Sequence, residues 1–434
     1  MEPSLPAQVF QERRARYVAQ LGEGVSIVPG GHLVTRVHDI HHVFRQRSDF
    51  LYLTGFAHPD ATAVLSRQSF ALFVQPRDRD AETWNGRRPG IDGALAQFGA
   101  DAAYPASELR QKLPELIDRA PRVFHRFGDD AELDAALIAA CADLRRRERT
   151  GAKAPTEFID PYVALHELRM RKSTEELALM RRAAQISAGA HRAAARRARV
   201  GAYEYELEAE LALHFRREGG AGPAYPSIVA TGENATILHY TENRAPLRAG
   251  ELVLIDAGVE YGAYASDVTR TYPVGGRFEG AARDVYAAVL RAQHAALAAC
   301  HPGTSLRGVH QVAVRSLCES LLELGALEGS LDEIVEKEQY KRYYMHSTGH
   351  FLGLDVHDVG AALSDGKPRP LDPGVVFTVE PGLYFRPDEP GCPERLRGIG
   401  VRIEDDVLLT ESGCEVLTAA IPKEIDEVEA WMRD

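Results

Sequence analysis

The sequence predicts an α/β domain followed by an α+β domain whose antiparallel sheet is covered by helices, and three observations carry that prediction. Through about residue 165, strand-like runs at 61–65 and 70–75 alternate with helix-like runs at 108–119 and 131–147, the texture of a mixed α/β layer. A connection containing Gly151, Pro155 and Pro161 then gives way to a long amphipathic stretch. Beyond Gly219-Gly220, strand and turn signals return at 252–258, 264–273, 375–380 and 401–409, around helical stretches near 281–300 and 305–325. The expected domains are 1–165 and 173–434.

The second domain opens at a readable signal. Ser173 followed by Glu176 is a capping box, in which each side chain satisfies an amide at a helix start, so a helix begins there. Later, residues 247–258 and 371–382 align without a gap, matching at Leu247 with Leu371, Gly250 with Gly374 and Gly258 with Gly382. Each copy places one acid, Asp256 or Glu380, two residues before its last glycine. Two related halves, each ending a strand with a carboxylate, predict a pseudo-twofold axis that brings the two acids together.

Composition narrows the function. The chain has 434 residues, 45% of them hydrophobic, which is ordinary for a globular protein of two or three domains. It has no run of 18 apolar residues, and its opening, Met1 to Arg16, is polar with no apolar stretch to serve as an export signal, which predicts a cytoplasmic protein outside any membrane. A formal charge of −12 without a basic cluster argues against nucleic acid as a partner. The arginine runs at 145–147 and 196–197 read as solvated helix faces. Five scattered cysteines, never paired as Cys-x-x-Cys, predict neither disulfides nor a thiolate metal site.

The chemistry concentrates in acids that sit where strands should be buried. Alternation puts Leu252, Leu254 and Asp256 on one face, and an unpaired buried carboxylate needs a cation, a hydrogen-bond network or a proton. Asp267 lies in a β-branched stretch after the turn at Tyr261-Gly262, where a hairpin would set it beside Asp256. Glu404 shares a strand face with Arg402; Asp405 and Asp406 read as solvated at the strand end. Histidines at 239, 346, 350 and 357 lie in glycine-rich or aromatic surroundings. His346 and His350 have the spacing of a helical zinc pair, but the glutamate that motif needs is missing and Gly349 disfavours a helix. Four carboxylates with one or more histidines carry too much negative charge for a single zinc, and hard oxygen ligation favours Mn²⁺ or Mg²⁺, with Co²⁺ or Zn²⁺ as substitutes. Two such ions can polarise a carbonyl and hold a hydroxide between them.

Asp256, Asp267, His350, Glu380 and Glu404 stand in the order Asp-Asp-His-Glu-Glu, within IDAGVEYGAYASDVTRTYPV, MHSTGHFLGLDVHDVG, TVEPGLYF and GIGVRIEDDVLLTESG. This set resembles the pita-bread metallopeptidases, and the resemblance covers nearly the whole chain. FRQRSDFLYLTGFAHPDA and HYTENRAPLRAGELVLIDAG are similar to the Xaa-Pro aminopeptidase branch; methionine aminopeptidase lacks such a leading domain.

The resemblance implies a pita-bread catalytic domain and release of the first residue from peptides with proline second. It implies that Asp256 binds one ion, that Asp267 and Glu404 bridge two, and that His350 with Glu380 completes the other. It further implies that His357 stabilises an oxyanion, that His239 and His346 line the proline-side pocket, and that Glu380 handles the proton. Arg402, Tyr384, Trp84 and Arg169 are the substrate-side residues it suggests, and it suggests a homo-oligomer, tetramer or dimer. Bland readings stand beside these: a surface salt bridge for Arg402, a packing anchor on an exposed loop for Trp84, a solvated arginine ahead of a helix for Arg169. Prolidase is the nearest rival; a non-catalytic relative would have lost ligands, and creatinase does not need them.

Overall fold

The computed structural model describes residues 5–433, so residues 1–4 of the polar opening stretch lie outside the described residues. They form two compact units that divide between Arg169 and Met170.

The first unit is built on a six-stranded mixed sheet. Val25–Pro29 lies at its middle, antiparallel to Thr62–Leu65 and parallel to Arg122–Phe124. Phe70–Val74, then Ala102–Pro105, extend one side, and Glu157–Ile159 closes the other. The helix Ala131–Arg146 packs Leu133, Leu137 and Leu144 onto Ile27, Val64 and Phe73, the apolar stripe that its sequence period predicts.

Two expectations for this unit are corrected. Trp84 is on a short helix, Arg79–Asn85, with no buried residue, and is 86% exposed, so it anchors no packing. Arg169, ahead of the helix that Ser173 caps, is not solvated. It lies near the end of the helix Tyr162–Met170, 3% exposed, and donates to Asp49 Oδ1 at 2.7 Å.

The second unit repeats one plan twice. In its first half Leu252–Asp256 pairs antiparallel with Ile228–Thr231 on one side and Thr269–Pro273 on the other. In its second half Asp405–Thr410 pairs antiparallel with Val376–Val379 and Gly413–Val416. Two helices accompany each half: Thr174–Arg197 packs on Glu204–Arg217, and Gly280–Ala298 on Leu306–Glu323. The capping box at Ser173 and Glu176 is formed as the sequence predicts. A shared core of Ile186, Leu211, Leu254, Ile255, Val289 and Leu317 fixes helices to sheet.

The strand runs at 264–273 and 401–409 are not continuous. Each breaks, into Tyr264–Ala265 and Thr269–Pro273, and into Ile399–Arg402 and Asp405–Thr410. Asp267 lies in the first break and Glu404 in the second.

Candidate active site

The site is assembled from the ends and breaks of these strands. Asp256 is the last residue of its strand and stands in register with Thr269, two residues past Asp267. Glu380 follows Val379, which stands opposite Asp405, the residue after Glu404. Each half therefore contributes one acid from a strand end and one from the break in the neighbouring strand. The halves are joined at this level: the Glu404 amide donates to Thr269 O at 3.0 Å, and the Thr271 hydroxyl donates to Arg402 O at 3.0 Å.

Local sequence explains the tight approach. A side chain on Gly258 would bring its Cβ to 1.8 Å from Ser266 O, so only glycine lets the backbone after Asp256 lie against the segment leading to Asp267. His191, fully buried, meets Ala257 O through Nε2 at 2.9 Å and Tyr272 Oη through Nδ1 at 3.2 Å; burial pulls it down to about 4, so it stays neutral there.

Donor atoms of Asp267, His350 and Glu404 all lie within 4.8 Å of one another. His350 Nε2 is 3.3 Å from Asp267 Oδ2 and 3.7 Å from Glu380 Oε1, while its Nδ1 donates to Phe351 O at 3.1 Å. That backbone bond fixes the tautomer and leaves Nε2 for a ligand. Asp256 accepts from Tyr225 Oη at 2.7 Å and from Arg402 Nη2 at 2.6 Å.

Electrostatics mark the cluster as one built for cations. Burial pushes the Glu380 carboxyl up to about 7, and the Asp267 and Asp256 charges add to it against His350 and Arg402. Glu404 is raised well above the carboxylate range by burial, then by Asp267, Glu380 and Asp256. Burial alone would lower His350, yet its bond to Asp267 and the charges of Asp267 and Glu380 carry it up to about 9. Several acids that cannot all ionise beside one another are what bound divalent cations relieve. The residues present thus fit a site for divalent metal.

A relay runs from this cluster. Arg402 donates from Nη1 to Tyr384 Oη at 3.0 Å and from Nε to Thr269 Oγ1 at 3.1 Å, and Thr269 in turn donates to Glu404 Oε2 at 2.7 Å. The Tyr384 hydroxyl meets His346 Nε2 at 2.8 Å, and His346 Nδ1 meets Ser347 O at 2.8 Å. Burial, with Arg402 nearby, lowers His346 to about 3, so the ring is neutral and accepts from Tyr384. Arg402 is buried, which rules out a surface salt bridge. His357 is exposed, its ring 4.2 Å from that of His350, and burial and the His350 charge lower it. His239 is exposed and close enough to His357 to add to that lowering. Trp84 and Arg169 belong to the first unit.

Asp405 and Asp406 are not solvated; both are buried. Asp405 accepts from Arg270 Nη2 at 2.7 Å, Gln293 Nε2 at 2.8 Å and Thr418 Oγ1 at 2.9 Å, with Lys423 Nζ at 2.9 Å; despite burial these charges hold it below the carboxylate range. Asp406 accepts the Asp267 amide on both oxygens at 3.2 Å. Sequence reasoning passed over Tyr225, Thr269, Arg270 and Thr348, whose hydroxyl meets both Tyr344 Oη and His310 Nδ1. Only the strand period at Thr269 hinted at any of them.

Residues 178–411 match the model of Metallopeptidase family M24, and residues 10–124 match that of the aminopeptidase P N-terminal domain. The chain is 44% identical to the Xaa-Pro aminopeptidase of Escherichia coli (strain K12), over 98% of its own length and 97% of that protein's. A Pseudomonas aeruginosa aminopeptidase structure superposes with a TM-score of 0.97 at 44% identity, covering 99% of this chain and 98% of that one. A zinc-substituted E. coli aminopeptidase P in complex with product gives 0.96 at 43% identity, covering 99% of both.

Proposed function

Because the chain belongs to metallopeptidase family M24, we propose that its carboxylate and histidine cluster is the centre of an Xaa-Pro aminopeptidase, releasing the first residue of peptides with proline second. The observation that carries this reading is the convergence of Asp267, His350 and Glu404 donor atoms within 4.8 Å, with Glu380 beside them.

Asp256, Asp267, His350, Glu380 and Glu404 would hold two divalent ions, Mn²⁺ before Mg²⁺, Co²⁺ or Zn²⁺, because oxygen ligands dominate. When bound, the ions supply Lewis acidity toward the scissile carbonyl and lower the pKa of water. The protein's own residues do the rest. Arg402 and Tyr225 occupy one lone pair on each Asp256 oxygen and so orient that carboxylate. Glu380 takes a proton from the attacking water and returns it to the proline nitrogen as the C–N bond breaks. His357 donates to the oxygen that gains charge in the transition state. His346, held by Tyr384, and His239 pack against the pyrrolidine ring. Trp84 is the aromatic contact for longer peptides, and the working form is a dimer or tetramer in the cytoplasm. Arg169, buried against Asp49, has no part in this scheme.

Mass spectrometry of digests tests the reading. A five-residue peptide with proline second should lose its first residue, far faster than a Xaa-Pro dipeptide is cleaved. An intact pentapeptide beside a hydrolysed dipeptide would make the chain a prolidase instead.

A further inference from the structure

His357 lies on a stretch, 352–360, that belongs to no helix or strand. An exposed side chain on irregular backbone has many orientations available, yet an oxyanion donor must be held to a fraction of an ångström. Its chain neighbour is itself anchored. Asp358 points away from the solvent and meets Lys172 Nζ at 3.0 Å, and both side chains are 1% exposed.

The pair is tied on both flanks. The Lys172 amide donates to Gly374 O at 2.9 Å and its ammonium also reaches Met170 O at 3.4 Å. The Asp358 amide donates to Phe351 O at 2.8 Å, next to the metal-ligand candidate His350. Gly353 closes over the two charges: a Cβ there would come within 2.1 Å of Asp358 Oδ2 and 2.8 Å of Lys172 Cε. Gly353 O in turn accepts the Ala265 amide at 2.9 Å, two residues before Asp267. The loop from His350 to Asp358 is therefore wrapped around one ammonium group that comes from a segment nearly two hundred residues earlier.

We infer that Lys172 and Asp358 are a positioning pair for the enzymatic reaction, their buried ion pair fixing the orientation of His357 toward the reacting carbonyl. Neither residue touches substrate. This rests on the reading of His357 as the oxyanion donor. A merely structural ion pair would affect stability at every position alike, whereas this one acts on turnover through a single imidazole.

A double-mutant cycle tests the pair. His357→Ala, Asp358→Asn and the double variant are loaded with the same metal, and kcat and KM are measured on a Xaa-Pro-Yaa tripeptide below the unfolding temperature of the least stable. Asp358→Asn is expected to lower kcat by about tenfold or more at nearly constant KM and metal content, the mark of an interaction made in the transition state. In the His357→Ala background the same change should alter kcat by less than about twofold, because its target is gone. Lys172→Arg, which keeps the charge but shifts it, enters the same cycle and takes the place of Asp358→Asn if that variant does not fold. Equal losses in both backgrounds, or an unchanged kcat for folded Asp358→Asn, overturn the positioning role alone. Wild-type turnover in His357→Ala overturns the assignment of His357 as well.

Discussion

Arg402 Nη2 lies 2.6 Å from Asp256 Oδ2, so the strand leading to the last acid of the cluster also clamps the first. The same guanidinium reaches Tyr384 and, through Thr269, Glu404. One cation thus sets the geometry of acids 148 positions apart in the chain.

Replacing Arg402 tests that clamp. Arg402→Met should lower kcat/KM or metal affinity by about 10–100-fold, the range for a residue that orients a ligand. Arg402→Lys should recover little, since an ammonium cannot span three acceptors in a fixed plane. Kinetics with metal analysis on both variants measure it. Full recovery by lysine would reduce the role to charge alone.

Asp267 and Glu404 face His350 within one donor cluster and come from different halves. Alanine at either position should remove metal and abolish turnover, because each serves more than one neighbour in the site. Atomic emission on the purified variants reads the metal directly. Near wild-type turnover with full metal in either variant would exclude that residue as a ligand.

Chelation followed by reloading addresses the ions. Activity is expected to vanish on prolonged chelation and to return best with Mn²⁺, given four carboxylates against one imidazole. Full activity in protein shown to be metal-free would end the metal-dependent scheme.

The metal-free protein should lose stability as pH rises from about 6.5 to 9. Glu380 is raised from 4.5 to about 7 by burial and by Asp267 and Asp256, so its penalty is absent below 4.5 and complete above 7. His350 is raised from 6.5 to about 9 by Asp267 and Glu380 in spite of burial, so its stabilisation is full below 6.5 and gone above 9. Both changes have the same sign, because each of these two groups keeps its proton to higher pH in the folded state, whereas His191 and His346, lowered to about 4 and about 3, act the other way only below 6.5. Metal competes with those protons, so melting temperatures of loaded and chelated enzyme should diverge as pH rises. Parallel profiles would contradict charge crowding among these acids.

The acids of the cluster drew notice in the sequence because they stand at or near the ends of apolar strands, and it was the resemblance that picked out the five residues as a set. The repeat of 247–258 in 371–382 also led directly to the twofold plan, since Asp256 and Glu380 do occupy matching strand ends. What escaped was the counter-charge. Asp405 reads as a solvated strand-end acid until Arg270, 135 residues away, is seen to bury with it. Arg169 escaped for the same reason, its partner Asp49 being 120 residues earlier. The two runs read as unbroken strands hid their functional point: Asp267 and Glu404 point into the site because the ladder lets go of the backbone there. A period-2 pattern cannot reveal a gap of two or three residues.

The joining of the halves through the Glu404 amide and Thr269 carbonyl has a consequence for how the enzyme dies. The proposed ligands come from both sides of that seam, so neither side could open while a metal stayed bound. Heating should therefore release ion and activity with one first-order rate constant, and excess metal in the buffer should lengthen the half-life. Shelf life for such an enzyme becomes a matter of cation supply rather than of surface repair.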